Sequence, residues 1–113
     1  MSCAMSNTVT PVKVLKKQHA AQTTTVSCGE VVRLFLLENQ TIHHVRWHLN
    51  KVPQCFTLNQ YTQEEFDRSN KKITYRVFDF SSSVSGHFVL HFTLQKSFGA
   101  IAEQLKFKIN VDA

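Results

Sequence analysis

A chain of 113 residues is one domain's worth, and 42% apolar content excludes a disordered or linker-like polymer. Twelve Val, ten Thr and four Ile stand beside nine Phe, two Tyr and one Trp, against six Ala; branched and aromatic side chains favour a pleated surface over a helix. Three Gly and two Pro exclude a collagen-like chain, and 13 Lys and Arg against 8 Asp and Glu leave a mildly basic net charge of +5.

Met1 to Asn7 offers neither a basic n-region nor an apolar h-region. Residues 1–8 are read as a flexible N-terminus and 9–113 as a single β domain. A cytoplasmic location is expected, with intracellular vesicles or non-classical release as variants. Val9 to Lys17 carries a Pro and alternates weakly, which suits a first or edge strand. Thr23 to Val26 reads as a short strand, and Ser27-Cys28-Gly29-Glu30 as a turn with Gly29 at positive φ. Val31 to Leu37 runs apolar with Val32, Leu34 and Leu36 inward; Arg33 within it and its shortness exclude a membrane span. Val45, Trp47 and Leu49 alternate with Arg46 and His48, a half-buried strand. Cys55 to Tyr61 continues as a strand, and Thr62-Gln-Glu-Glu65 has capping-box spacing that predicts one helical turn before Asn70. Ile73 to Phe80 is the next strand. Phe88, Leu90, Phe92 and Leu94 alternate after Gly86, as do Leu105, Phe107, Ile109 and Val111 near the end. Seven or eight short strands at roughly ten-residue spacing argue for a β-sandwich or barrel, and an all-β, immunoglobulin-like sandwich of about seven to eight antiparallel strands is the fold expected.

Candidate chemistry is sparse. His43 and His44 are adjacent and point to opposite faces of a strand, while His87 and His91 would stand about 13 Å apart. Solvent-face histidines are expected, with no metal and no cofactor. Cys3, Cys28 and Cys55 are an odd count without metal-ligand spacing; at most one pair could bridge, and free thiols are the simpler expectation. Glu64, Glu65 and Asp67 crowd one polar segment with Arg68, Lys71 and Lys72 rather than facing each other across a cleft, so no hydrolytic pair is built. The basic clusters Lys13, Lys16, Lys17 and Arg68, Lys71, Lys72, Arg76 lack interleaved exposed aromatics, which disfavours nucleic acid as a partner. Neither an enzyme nor a membrane protein is expected.

The run Thr25-Val-Ser-Cys-Gly29-Glu30-Val-Val-Arg-Leu, then Leu37-Glu-Asn39-Gln-Thr41 and Trp47, resembles the start of the chagasin-like inhibitors of papain-type cysteine proteases. Ser85-Gly86-His87-Phe88-Val89-Leu90 is similar to that family's Gly-initiated strand, and Lys96-Ser97-Phe98 stands where the family carries Arg-Pro-Trp. The resemblance spans roughly residues 22–112. It departs in the loop, where Gln40, Ile42 and His43 replace Pro, Thr and Gly, and at Lys71-Lys72, where glycines are usual. The resemblance implies a monomeric, reversible inhibitor whose partner is a papain-like cysteine protease, blocked by three loops at one end of a sandwich. Carried over by position, the central loop is Asn39, Gln40, Thr41, Ile42, His43 and His44. One flank is Lys96, Ser97 and Phe98, and the other is the turn Asn70, Lys71, Lys72 and Ile73. The alternative reading is a non-enzymatic interaction module that binds another protein.

Overall fold

The computed structural model describes residues 11–38 and 45–113. Its strands are β1 (Pro11–Lys16), β2 (Thr23–Ser27), β3 (Val31–Leu37), β4 (Val45–Asn50), β5 (Phe56–Phe66), β6 (Lys72–Ser82), β7 (Gly86–Lys96) and β8 (Ile101–Asp112). A short 3-10 turn at Lys17–His19 joins the first two. Two four-stranded sheets result, ordered β1-β3-β6-β5 and β2-β8-β7-β4. The β-sandwich expected from the alternation is what forms. Residues 1–8, read as a flexible terminus, fall outside the described residues.

Two details differ from the sequence reading. The strands are not all antiparallel: β1 pairs with β3 in parallel, and β2 with β8. Each connection reverses the chain, so odd-numbered strands run one way and even-numbered strands the other. An edge strand that docks on a neighbour of its own parity must therefore be parallel to it. The predicted helical turn at Thr62–Glu65 is also absent. Those residues continue β5, paired from Thr62↔Arg76 through Glu65↔Ile73 to Phe66↔Lys72. Ladder hydrogen bonds from β6 outweigh a local capping pattern that has no apolar helical face to bury.

The core follows the period-2 pattern. Val32, Leu34 and Leu36 of β3 are buried, as are Phe78 and Phe80 of β6, Leu90 and Phe92 of β7, and Phe107, Ile109 and Val111 of β8. Burying each such side chain contributes about 1.5–3 kcal/mol. Aromatic contacts tie the sheets together. Phe78 meets Phe92 edge-on with centroids 5.0 Å apart, and Phe56 meets Phe88 at 4.9 Å. Such pairs add about 0.5–1.5 kcal/mol beyond area.

At one end of the sandwich lies the β2–β3 turn. Gly29 has φ 84°, as its place in the turn requires, and Glu30 Oε1 accepts from Ser27 N–H at 2.5 Å. The expectation of free thiols fails here. Cys28 is disulfide-bonded, Cys55 is a free thiol, and Cys3 lies outside the described residues. Linear spacing does not report what the fold brings near Cys28, which the turn holds through its N–H to Asp112 O at 2.8 Å.

Candidate functional site

The opposite end gathers three connections. β3 arrives there beside Tyr75 of β6, and β4 departs opposite Lys96 of β7. The β3–β4 connection, the β5–β6 hairpin and the β7–β8 hairpin therefore share one end, while the β1–β2 crossover stays lower because β2 begins opposite Lys108. Asn39, Gln40, Thr41, Ile42, His43 and His44 lie outside the described residues, but both anchors of that connection are on view.

Glu38 follows β3 and is 1% exposed, although carboxylates are almost never buried without a partner. Its partner is Arg76 on β6: Nη2 donates to Oε1 at 2.8 Å and Nε to Oε2 at 3.1 Å. The same Oε2 accepts the backbone N–H of Trp47 at 2.8 Å, and Trp47 Nε1–H donates to Leu37 O at 2.9 Å. Glu38 N–H completes the lock by donating to Thr74 O at 2.8 Å. The last inward layer of the sandwich at this end is thus an ion pair that ties β3 and β6 of one sheet to β4 of the other. It holds the residues on either side of the intervening connection, Glu38 just after β3 and Trp47 within β4. Charge-assisted, bidentate contacts of this kind are geometrically specific.

The second connection is the β5–β6 hairpin. Its ladder ends at Phe66↔Lys72 and the tip is residues 67–71, closed by Asp67 N–H to Lys71 O at 3.0 Å. Asp67 Oδ1 accepts from Ser69 Oγ–H at 2.7 Å, Lys71 N–H at 2.8 Å and Ser69 N–H at 2.9 Å. The Ser69 hydroxyl first, then the Lys71 amide, hold the Asp67 carboxyl below its ordinary range. Asn70 sits at φ 62°, which Asn tolerates better than most residues. Three ladder pairs of this hairpin extend past Leu37, where β3 stops, so it stands beyond the adjacent strand. Phe66 is 64% exposed at its end.

The third is the β7–β8 hairpin. Lys96 N–H donates to Ala100 O and Gly99 N–H to Lys96 O, both at 2.9 Å, with Gly99 at φ 82°. This leaves Phe98 projecting at 98% exposure. A groove of about 420 Å³ runs beside the hairpin, lined by Val45, Arg46, His48, Gln95, Lys96, Ser97 and Gly99.

Of the residues singled out from sequence, Asn70 and Lys71 are in the second tip, while Lys72 and Ile73 are the first residues of β6. Lys96 ends β7, and Ser97 and Phe98 form the third tip. Arg76, counted above in a basic surface cluster, is instead a buried structural cation paired with Glu38. Sequence reading missed Glu38 and Phe66. Phe66 has a legible signal, a lone aromatic amid Glu, Asp and Arg. Glu38 has none, because its partners lie 9 and 38 residues away. His87 and His91 are occupied separately: His87 Nδ1 bonds Asn110 Oδ1 at 2.6 Å, and His91 Nε2 bonds Gln104 Oε1 at 2.9 Å.

No family model and no curated protein matches the sequence. A solved structure, the cysteine protease inhibitor EhICP2 from Entamoeba histolytica, superposes with a TM-score of 0.74 over 90% of this chain and 99% of its own. The chain shares its fold with a cysteine protease inhibitor. Identity to EhICP2 is 12%, so what the two chains have in common is the sandwich rather than its side chains. Amebosin, whose solution structure matches with a TM-score of 0.64 and 17% identity over 91% of this chain and 100% of its own, has the same architecture.

Proposed function

We propose that this protein is a reversible, non-enzymatic inhibitor of papain-like cysteine proteases, acting as a monomer through the end of the sandwich that carries the three connections. The observation that carries the reading is the Glu38–Arg76–Trp47 clamp at one end of the sandwich, beside two hairpins with exposed phenylalanines, on a fold shared with EhICP2. Rigid strands hold the tips in place before binding, which lowers the ordering cost of association. Phe98 and Phe66 supply aromatic anchors of the kind that dominate interface energetics. Asn39 to His44 are the segment that would enter the cleft and cover the catalytic thiol by bulk and hydrogen bonding, with no bond made or broken.

The test is an inhibition assay of the folded chain against papain and a cathepsin L-like protease. Reversible inhibition without cleavage of the chain is expected. A chain that is folded by its tryptophan emission and leaves both enzymes fully active at micromolar concentration would overturn the proposal, leaving the same loops as a surface for a different protein.

A further inference from the structure

The outer face of the β2-β8-β7-β4 sheet carries more cations than carboxylates. By strand alternation Arg46, Lys106 and Lys108 project from it, and Lys96 reaches the groove at its upper corner. The carboxylate it carries by the same alternation is Asp112, at the far tip of β8. Among the described residues the ion pairs are Lys17–Glu103, Arg33–Asp79, Lys72–Glu64 and Arg76–Glu38, and none uses a cation of this face. Lys13, Lys16, Lys51, Arg68 and Lys71 also stand outside these ion pairs, but on the β1 edge and in connections; here the cations gather on one sheet surface.

Between the cations runs a polar row across three strands. Asn50 Nδ2–H points to His91 Nδ1 at 3.4 Å, His91 Nε2–H donates to Gln104 Oε1 at 2.9 Å, and the Thr93 hydroxyl donates to Asn50 Oδ1 at 3.2 Å. These bonds orient the amides, and Gln104 is exposed. Lys106 and Lys108 follow this row about 7 Å apart along β8.

We propose that this face binds a linear sulfated polysaccharide, with sulfates in the Arg46–His48–Lys96 groove and on Lys106 and Lys108, and sugar hydroxyls on the amides between them. A face on which amides lie between two groups of cations matches a chain that carries both sulfates and hydroxyls. Phe66 stands on the β5–β6 hairpin of the other sheet and Phe98 at the tip of the β7–β8 hairpin, so no row of exposed rings follows the β8 cations to stack successive single-stranded bases. Val89 is its one strongly exposed apolar residue along β7, too little to insert into a bilayer. Lys106 and Lys108 are remote from the three connections, so the β8 part of the face can be tested apart from protease inhibition, whereas the groove at Lys96 adjoins the β7–β8 hairpin.

Heparin is the probe, titrated into the whole chain at about 0.15 M salt, where exposed charges still act over roughly 8 Å. Salt-sensitive binding is expected, weakened about tenfold by Lys106→Gln with Lys108→Gln, since each exposed contact is worth a several-fold factor. Lys13→Gln with Lys16→Gln removes equal charge from the β1 edge and should leave affinity within about twofold. Arg46→Gln tests the groove independently of β8. No binding by the unmodified chain, equal losses from the two lysine pairs, or tighter binding to an oligonucleotide or to phosphatidylserine vesicles than to heparin would each overturn the proposal. Inhibition of papain, where present, should be unchanged by the β8 pair.

Discussion

Replacing Glu38 by Gln is the sharpest probe of how the central connection is held. The substitution keeps size and shape but leaves the Arg76 guanidinium, buried to 9% exposure, facing an amide in place of a carboxylate. Two charge-assisted bonds at 2.8 and 3.1 Å are lost or weakened together. Breaking one side of a buried ion pair costs about 3–5 kcal/mol, because an uncompensated charge remains. For a domain of this size each kcal/mol lowers Tm by about 4–8 °C, so the variant should melt at least about 12 °C lower. Trp47, the chain's one tryptophan, is 2% exposed and hydrogen-bonded to Glu38, so its emission during urea unfolding reports the event directly. The double variant Glu38→Leu, Arg76→Met supplies the discriminating arm. It removes both charges and orphans chiefly the Trp47 N–H, a cost of about 1–3 kcal/mol, so it should be more stable than the single variant. A Glu38→Gln chain within about 1 kcal/mol of the parent, or a double variant less stable than the single one, would refute the clamp, since a buried lone guanidinium cannot be that cheap.

Phe66→Ala and Phe98→Ala should each leave urea midpoints within about 0.5 kcal/mol, because both rings are exposed. If the proposed function holds, each should weaken protease inhibition by about tenfold or more as an interface anchor is lost, and unchanged inhibition constants would remove that residue from the site. Asp67 should titrate below an ordinary aspartate by NMR. Since its folded value is depressed, its contribution to the hairpin is present above the unfolded aspartate range and disappears as pH falls through the folded value. Ser69 and Lys71 amide shifts that follow a normal or raised midpoint would contradict the turn geometry. Gly99→Ala should cost about 1–2 kcal/mol in urea unfolding through backbone strain alone, because a Cβ there meets no atom within 4 Å while φ is 82°. A neutral result would mean the tip relaxes out of the left-handed region.

Much of the framework was legible locally. Val31–Leu37 matches its predicted span, and the alternating Phe88–Leu94 and Leu105–Val111 runs are the two long central strands β7 and β8. The reason is that a half-buried strand writes its period of two into the sequence whatever it pairs with. Where the reading failed, a distant partner decided the outcome. Thr62–Glu65 is strand because β6 extends alongside it, and Arg76 is interior because Glu38 waits there. The candidate site was partly legible: Ser97, Phe98, Asn70 and Lys71 lie in hairpin tips at one end with Lys96 at the end of β7, and Phe66 stands out locally as a lone aromatic among charges, whereas Glu38 emerged only from the assembled sheets.

Branched and aromatic residues in alternation thus determined by themselves that the chain forms strands and which side of each strand is apolar, because side-chain sterics and burial act through near neighbours. Tertiary structure alone decided that the edge strands β1 and β2 run parallel to their neighbours, that Cys28 is bonded while Cys55 is free, and that Arg46, Lys106 and Lys108 gather on one sheet face. Those features depend on which groups meet across tens of residues, and no local preference encodes such a meeting.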